Sequence, residues 1–180
     1  LEFRRVLFRS EVVHAERVLV NMDTRRFLRE HVPPAYITKA WRGAVAEHRM
    51  ALPLFVVFVG FDQTPDTLPF GNANQWIAKG HDWDAYYAML ERGEMPDKPP
   101  IYIATASLKD PHNPEIAPAG KTNLEIMTVV PRDLEYWGVR SEEVEAGTYT
   151  KNPTYLARKE AILDVCIERA EKLIPGLRAK

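Results

Sequence analysis

Residues 52–61 read LPLFVVFVGF, a nearly unbroken run of apolar residues that has the length of a β-strand. Pro53 stands at the start of this run, and Gly60 and Asp62 stand at its close. A continuous apolar run bounded by such residues is typical of a strand that is buried on both of its faces. We therefore expect residues 52–61 to form the central strand of a sheet.

Two further segments have the composition of strands. Ile101–Ser107 (IYIATAS) and Thr122–Val130 (TNLEIMTVV) are rich in Ile, Thr and Val. The connection between them contains the turn-forming residues Pro111, Pro114, Pro118 and Gly120. Because such residues favour a compact reversal of the chain, we expect these two segments to pair antiparallel.

Four segments carry helix signals. They are residues 24–32, 36–48, 83–92 and 153–174. Asp23 and Asp82 can cap two of these helices, because their carboxylates can accept hydrogen bonds from backbone N–H groups of the first turn. Asn152-Pro153 begins the last helix. Between these elements we expect an extended segment over residues 12–20 and a long loop over residues 63–81.

Together these elements predict an α+β fold. Its sheet is expected to be mixed but largely antiparallel, and to consist of residues 52–61, 101–107 and 122–130. Helices within residues 24–49 and 153–174 are expected to cover this sheet. A length of 180 residues is typical of one domain and is sufficient to bury a core.

The first ten residues, LEFRRVLFRS, need a separate interpretation. All ten residues can be reverse-translated, in a single reading frame, into the sequence of a common sequencing adapter. We therefore expect residues 1–10 to be an artefact with no part in the fold or the function. Since the chain begins at Leu1 without a methionine, we expect the remainder to be an internal piece of a longer gene from a metagenomic assembly.

Charge and cysteine content narrow the classes of partner and location. The formal net charge is −1, and it falls to −3 without residues 1–10, which carry three arginines and one glutamate. This balance gives no basic surface for nucleic acid. Cys166 is the only cysteine, and no run approaches the ~18 apolar residues of a membrane span. A reducing cytoplasm is the expected location.

The chain carries no familiar catalytic motif. There is no G-x-G-x-x-G, Walker, G-x-S-x-G or H-E-x-x-H pattern. The histidines fall in different elements without ligand spacing, at His14, His31, His48, His81 and His112, so no metal site is expected. Cys166 lies on the apolar face of the last expected helix, where a cysteine behaves as a small hydrophobic residue.

Aromatic residues concentrate around the long loop. They are Trp76, Trp83, Tyr86, Tyr87, Tyr102, Tyr136 and Trp137. Such residues are either core and rim residues or the lining of a lipophilic pocket. As candidates for lining a substrate pocket we select Trp76, Tyr102 and Trp137.

Several phrases of the sequence occur in the order found in a known family. They are VLVNMD (18–23), PLFVVFVGFD (53–62), PPIYIATASLKDP (99–111), IAPAGKTNLEIMTVVP (116–131), WGV (137–139), YLARKEAIL (155–163) and IPGL (174–177). In this order the chain resembles the FAD-dependent phytoene desaturase family, which also contains carotenoid isomerases and retinol saturases. The most specific part is Ser107–Pro131, where SLKDP is followed by A-P-x-G-x-T and a strand that ends in V-P.

The resemblance implies a division of the chain into domains. Residues 11–23 would be the end of an FAD-binding domain, with a strand at 18–23, and residues 24–180 would be most of a substrate domain. In this family the dinucleotide fingerprint lies upstream and a second flavin-contacting segment lies downstream. Where the family commonly reads N-A-D, this chain has Asn21-Met22-Asp23, and Asn21 is the candidate residue near the cofactor.

The resemblance also implies a function. The full-length parent would be an FAD-dependent oxidoreductase that desaturates, saturates or isomerises C–C double bonds in a polyene or other lipophilic substrate. The parent would make peripheral contact with a membrane, whereas this chain alone would be inactive. Two alternatives remain open. One is a stand-alone α+β module that binds a hydrophobic ligand, and the other is part of an amine-oxidase-like flavoenzyme.

Overall fold

The computed structural model of the chain describes residues 7–8, 11–12, 15–80 and 82–179. By its internal contacts the chain divides into two compact units, Leu1–Ala51 and Leu52–Lys180. The resemblance places a domain boundary earlier, between residues 23 and 24.

The first unit contains two short helices. Its elements are β1 (Leu7–Phe8), β2 (Glu11–Val12), α1 (Thr24–Glu30), a 3-10 turn (Pro34–Tyr36) and α2 (Lys39–Glu47). The Asp23 carboxylate accepts a hydrogen bond from the backbone N–H of Arg26 over 2.6 Å, which confirms the expected cap of the first helix. The hydroxyl oxygen of Thr38 caps α2 in the same way, 3.2 Å from the backbone nitrogen of Trp41.

Two expectations for this unit need correction. Residues 12–20 were expected to be extended, but β2 ends at Val12 and residues 15–23 form neither helix nor strand. The strand implied for residues 18–23 is therefore wrong in this chain, because these residues pair with no other strand. Whether residues 1–10 pack against anything is a question that lies outside the described residues, apart from the pairing of β1 with β2.

The second unit is built on a four-stranded sheet. Its strands are β3 (Leu54–Phe61), β4 (Gln75–Ile77), β5 (Ile101–Ala104) and β6 (Thr122–Val129). Their order across the sheet is β3, β6, β5, β4, and every pairing is antiparallel. The α+β class is thus confirmed, and so is the antiparallel pairing of β5 with β6, in which Ile103 lies opposite Ile126.

Five α-helices lie in the described residues of the second unit. They are α3 (Trp83–Glu91), α4 (Ala106–Lys109), α5 (Leu134–Trp137), α6 (Ser141–Glu145) and α7 (Pro153–Glu171). The expected cap of α3 is confirmed, since the Asp82 carboxylate lies 2.9 Å from the backbone nitrogen of Ala85. The start of α7 at Asn152-Pro153 is also confirmed, and the Asn152 side chain accepts a hydrogen bond from the backbone N–H of Thr154.

The core lies between one face of the sheet and α7. Along β6 the side chains alternate between buried and half-buried, and Leu124 and Ile126 are fully buried. They belong to one hydrophobic cluster with Ile162, Cys166 and Ala170 of α7. The expectation that residues 153–174 cover the sheet is therefore confirmed. The same expectation for residues 24–49 stays a prediction.

The expectation that residues 52–61 form a central strand buried on both faces is wrong. β3 is an edge strand that pairs only with β6 among the described strands. Its alternate side chains, Leu54 and Phe58, are 60% and 75% exposed. An all-apolar run identifies a strand, but it does not show whether both of its faces are covered. Within the second unit, the face of β3 that carries Val57 and Phe61 packs into the core with α7, whereas Leu54 and Phe58 on the other face are exposed.

Two expectations about β5 and its neighbourhood differ from the structure. The strand expected over 101–107 ends at Ala104 and is followed by α4. Beyond Ala104, hydrogen bonds that involve side chains take the place of the backbone hydrogen bonds between β5 and β6. The Ser107 backbone N–H donates to Asn123 Oδ1 over 3.0 Å, and the Asn123 N–H donates to the Ser107 hydroxyl. Inside the long loop expected over 63–81, β4 pairs with β5.

This packing predicts a sharp contrast between two positions in the sheet. We expect Ile126→Ala to lower the free energy of unfolding by about 2–5 kcal/mol, since it removes buried volume from the core. Phe58→Ala removes more atoms, but it should cost less than about 1 kcal/mol because the ring is 75% exposed. Urea unfolding followed by circular dichroism measures both values. Equal losses would mean that Phe58 is buried, and would contradict the exposure of this side of β3.

Candidate functional site

The sheet has a second face, turned away from α7, which we call the outer sheet face. Successive side chains of a strand point to opposite faces of the sheet. The residues that alternate with the buried ones along each strand therefore point to the outer sheet face. Its apolar members are Leu54, Val56 and Phe58 of β3, Trp76 of β4, Tyr102 of β5, and Met127 and Val129 of β6. It is the largest set of partly or fully exposed apolar side chains in the sheet.

Four of these side chains form a single row across all four strands. Val56 lies opposite Met127, Met127 lies opposite Tyr102, and Tyr102 lies opposite Trp76. Directly opposed side chains in an antiparallel pair contact each other. The row is therefore a continuous apolar strip that runs across the sheet.

Aromatic rings occupy one end of the row. The ring centroids of Trp76 and Tyr102 are 4.7 Å apart at an interplanar angle of 61°. Trp83 at the start of α3 meets Trp76 edge-on, with 6.0 Å between centroids. Edge-to-face contacts at these distances are favourable, and they fix the orientation of Trp76 although it is 66% exposed.

Polar residues on the outer sheet face are few. Glu125 lies opposite Phe58, and Asn123 lies opposite Gly60. The apolar side chains of this face range from half-buried, at Val56, Tyr102 and Met127, to exposed, at Phe58 and Trp76. An accessible apolar surface with a sparse polar rim is typical of a surface that binds an apolar ligand or another part of a protein. The outer sheet face is for this reason the candidate functional site.

A small cavity lies beside the aromatic end of the row. It measures about 210 Å³, and its lining includes Trp83, Tyr86, Met89, Lys79 and Lys98. The Tyr86 hydroxyl donates to the backbone oxygen of Val129 over 2.8 Å, and burial raises the pKa of this phenol. Tyr86 therefore stays protonated and serves to hold α3 against the end of β6.

The structure brings together only two of the three pocket candidates. Trp76 and Tyr102 are neighbours on the outer sheet face. Trp137 instead packs against the core cluster on the other side of the sheet, where its indole N–H donates to the Pro131 carbonyl over 2.9 Å. Its ring contacts are Tyr136 and Tyr155, at centroid distances of 5.2 and 5.6 Å.

The remaining sequence candidate and the residues that sequence reasoning missed lie elsewhere. Asn21 is exposed in the segment before α1, in the first unit. Two residues of the outer sheet face were not selected from the sequence. Met127 belongs to the apolar strip, and Phe58 lies beside the strip. Phe58 lies in a run with no alternation of polar and apolar residues, so no periodic signal separated its two faces. For Met127 a sequence signal exists, because Leu124, Glu125 and Ile126 alternate between apolar and polar, and this period places Met127 on the same face as Glu125.

Cys166 is confirmed as a core residue. Its side chain is fully buried, and burial raises the pKa of the thiol from 9.0 to about 11, although the nearby Arg169 acts in the opposite direction. The neutral thiol is a poor nucleophile. Cys166 is therefore held as a neutral thiol in the core at neutral pH.

Within residues 15–80 and 82–179, no group of three or more His, Cys, Asp and Glu side chains is placed to hold a metal ion. In that same part of the chain, no helix combines the length and the apolar character needed to cross a membrane.

Comparisons with known proteins add no family assignment. The scan against protein-family models found no matching family, and the searches of curated proteins and of solved structures found no significant match.

The burial of Cys166 predicts both its reactivity and a pH effect. At neutral pH the native thiol should react with a disulfide reagent only as fast as the unit unfolds. Because the folded-state pKa is raised to about 11 from 9.0, the unfolded chain loses this proton first, so stability should fall as the pH rises above about 9. Cys166→Ala should reduce that slope. Rapid labelling of the native chain would show that the thiol is accessible.

Proposed function

We propose that this chain forms one wall of the substrate slot of an FAD-dependent oxidoreductase. The parent enzyme acts on C–C double bonds of a polyene or another lipophilic substrate, by desaturation, saturation or isomerisation. The observation that carries the proposal is the outer sheet face, with its strip of Val56, Met127, Tyr102 and Trp76.

The strip has the dimensions of an extended apolar molecule. Neighbouring strands lie about 4.8 Å apart, so a row across four strands is roughly 14 Å long. A flavin carries out redox chemistry by itself, and the protein must supply an apolar surface that excludes water beside it. Flat rings such as Trp76 and Tyr102 can lie along a conjugated chain. The strip provides a surface of this kind.

The resemblance supports the proposal at the same place. The most family-like phrase, Ser107–Pro131, contains the whole of β6. That strand supplies Met127 to the strip and Leu124 and Ile126 to the core. The residues that carry the resemblance thus build both faces of the sheet at its centre.

The residues of this chain do not fit a complete FAD site. Pyrophosphate recognition needs a glycine-rich turn that leads from a strand into a helix, so that backbone N–H groups meet the phosphates. The nine glycines are spread along the chain without such a cluster. Another part of the parent must therefore hold the cofactor, and Asn21 stays the one candidate here for a contact with it. We place the parent in the cytoplasm, in peripheral contact with a membrane.

Two other functions would use the same surface. A stand-alone module could bind a hydrophobic ligand on the outer sheet face without chemistry, and an amine-oxidase-like flavoenzyme would use this unit for an unrelated small substrate. The upstream sequence of the parent gene distinguishes a stand-alone module from the two flavoenzymes. A G-x-G-x-x-G motif upstream, followed ~20 residues later by an acidic residue, identifies a dinucleotide-binding enzyme.

The proposal predicts that the 180-residue chain binds no FAD and oxidises no substrate, whereas the parent is a yellow flavoprotein. The reason is that this chain lacks the glycine-rich turn. Sequencing the flanking DNA, and recording visible absorbance spectra of both purified proteins, test this expectation. Stoichiometric flavin on the 180-residue chain would mean that its own residues build the cofactor site.

The proposal also predicts where a polyene binds. All-trans-retinol should quench tryptophan fluorescence of the chain, and Trp76→Leu combined with Phe58→Ser should weaken binding by about ten-fold, because both remove exposed apolar area from the outer sheet face. Leu156→Ser is the matched control, since Leu156 is 43% exposed but lies on α7. Equal effects of both changes would remove the outer sheet face from the account.

A further inference from the structure

The first unit contains a groove of its own, which we call the arginine groove. Its volume is about 530 Å³, within the range of small-molecule sites. It is lined by Arg25, Leu28, Arg29, Val32, Pro34, Ile37, Arg42, Val45 and Ala46. These residues all belong to α1, α2 and the connection between them.

Helical spacing explains why these residues share one groove. Positions 25, 28 and 29 recur at the i, i+3 and i+4 spacing of one face of α1, and positions 42, 45 and 46 recur at the same spacing on α2. Val32 lies just beyond the end of α1, in the connection between the two helices. Each helix therefore contributes one stripe of side chains, and each stripe contains both apolar residues and arginine.

The groove has an apolar floor and a charged rim. Leu28 and Val32 are buried, and Ile37 and Val45 are half-buried. The arginines are exposed, as expected for side chains that keep their charged ends in water. A ligand that matched both parts would have an apolar chain and a charged head.

The charge of the rim has one sign. Three arginines line the groove and no carboxylate does, among the residues that the structure describes. Arg29 donates to the Glu30 carboxylate over 2.9 Å, and Arg42 donates to the Pro34 carbonyl over 3.3 Å. For Arg25 the described part of the chain shows no ion-pair partner. Each guanidinium has five N–H donors, so all three retain donors for an anion.

We propose that the arginine groove binds a long-chain fatty acid. The alkyl chain lies on Leu28, Val32, Ile37 and Val45, and the carboxylate is bound at the arginine rim. Both parts are needed, because an exposed ion pair by itself contributes little, whereas each buried methylene contributes about 0.8 kcal/mol. Arginine suits the head group, since its planar fork matches a carboxylate with two parallel hydrogen bonds.

The test uses the full 180-residue chain and a fluorescent fatty acid, 11-(dansylamino)undecanoic acid, with its methyl ester as the neutral counterpart. We expect the acid to bind about ten-fold more tightly than the ester, because only the acid forms charge-assisted hydrogen bonds. Added salt should reduce this preference. Equal affinities for the acid and the ester would overturn the proposal.

Matched variants locate the site. Arg25→Met together with Arg42→Met keeps much of the apolar stems and should remove most of the preference for the acid over the ester, because the remaining rim arginine, Arg29, is already paired with Glu30. Arg26→Met is the control on the same helix, because Arg26 pairs with Glu30 over 2.8 Å and does not line the groove. Circular dichroism of each variant establishes that the helices are retained. A loss of the preference in the control as large as in the double variant would overturn the proposal.

Two further measurements separate the other occupants. If Trp76→Leu with Phe58→Ser abolishes fatty-acid binding while the arginine variant does not, the ligand lies on the outer sheet face and the proposal fails. Vesicles of phosphatidylcholine and phosphatidylglycerol test a membrane surface. If the chain sediments with these vesicles through Arg25 and Arg42 but binds no free fatty acid, the groove is a lipid-headgroup site and the proposal is wrong.

Discussion

The packing of β6 against α7 is the contact on which the second unit depends. Leu124 and Ile126 have no exposed surface, and they share a cluster with Ile162, Cys166 and Ala170. β6 also pairs with strands on both of its sides, so it joins the sheet to α7, which is 19 residues long. Because this contact uses one set of alternate side chains, the other set is left for the opposite face.

Local signals predicted much of this fold, and the position of elements in the sheet was not predictable. Asp23 and Asp82 cap helices as expected, since a cap depends only on the next three residues. Residues 54–61 form an edge strand because β6 pairs with only one of their sides. The local sequence does not contain this information, because it depends on which strands lie next to it. The short β4 was missed because three residues in a loop rich in Pro, Gly and Asn give no periodic signal.

The same reason explains what was learned about the site. Trp76 and Tyr102 are neighbours because β4 and β5 pair in one register, whereas Trp137 packs on the core side. Sequence composition could select aromatic residues but could not sort them by face. The outer sheet face and the arginine groove lie in different units. The outer sheet face combines an apolar surface with few charged residues, and the arginine groove combines an apolar floor with arginines on its rim. A lipophilic ligand is the common chemical expectation for both.

The proposed site requires that one face of the sheet is covered and that the other is accessible. Hydroxyl-radical footprinting of the native chain tests this within a single strand, because Phe58 and Phe61 are the same residue type on opposite faces. With exposures of 75% and 5%, Phe58 should be oxidised many times faster than Phe61, and unfolding in urea should remove the difference. Similar rates in the native chain would mean that the outer sheet face is covered, and would contradict the account.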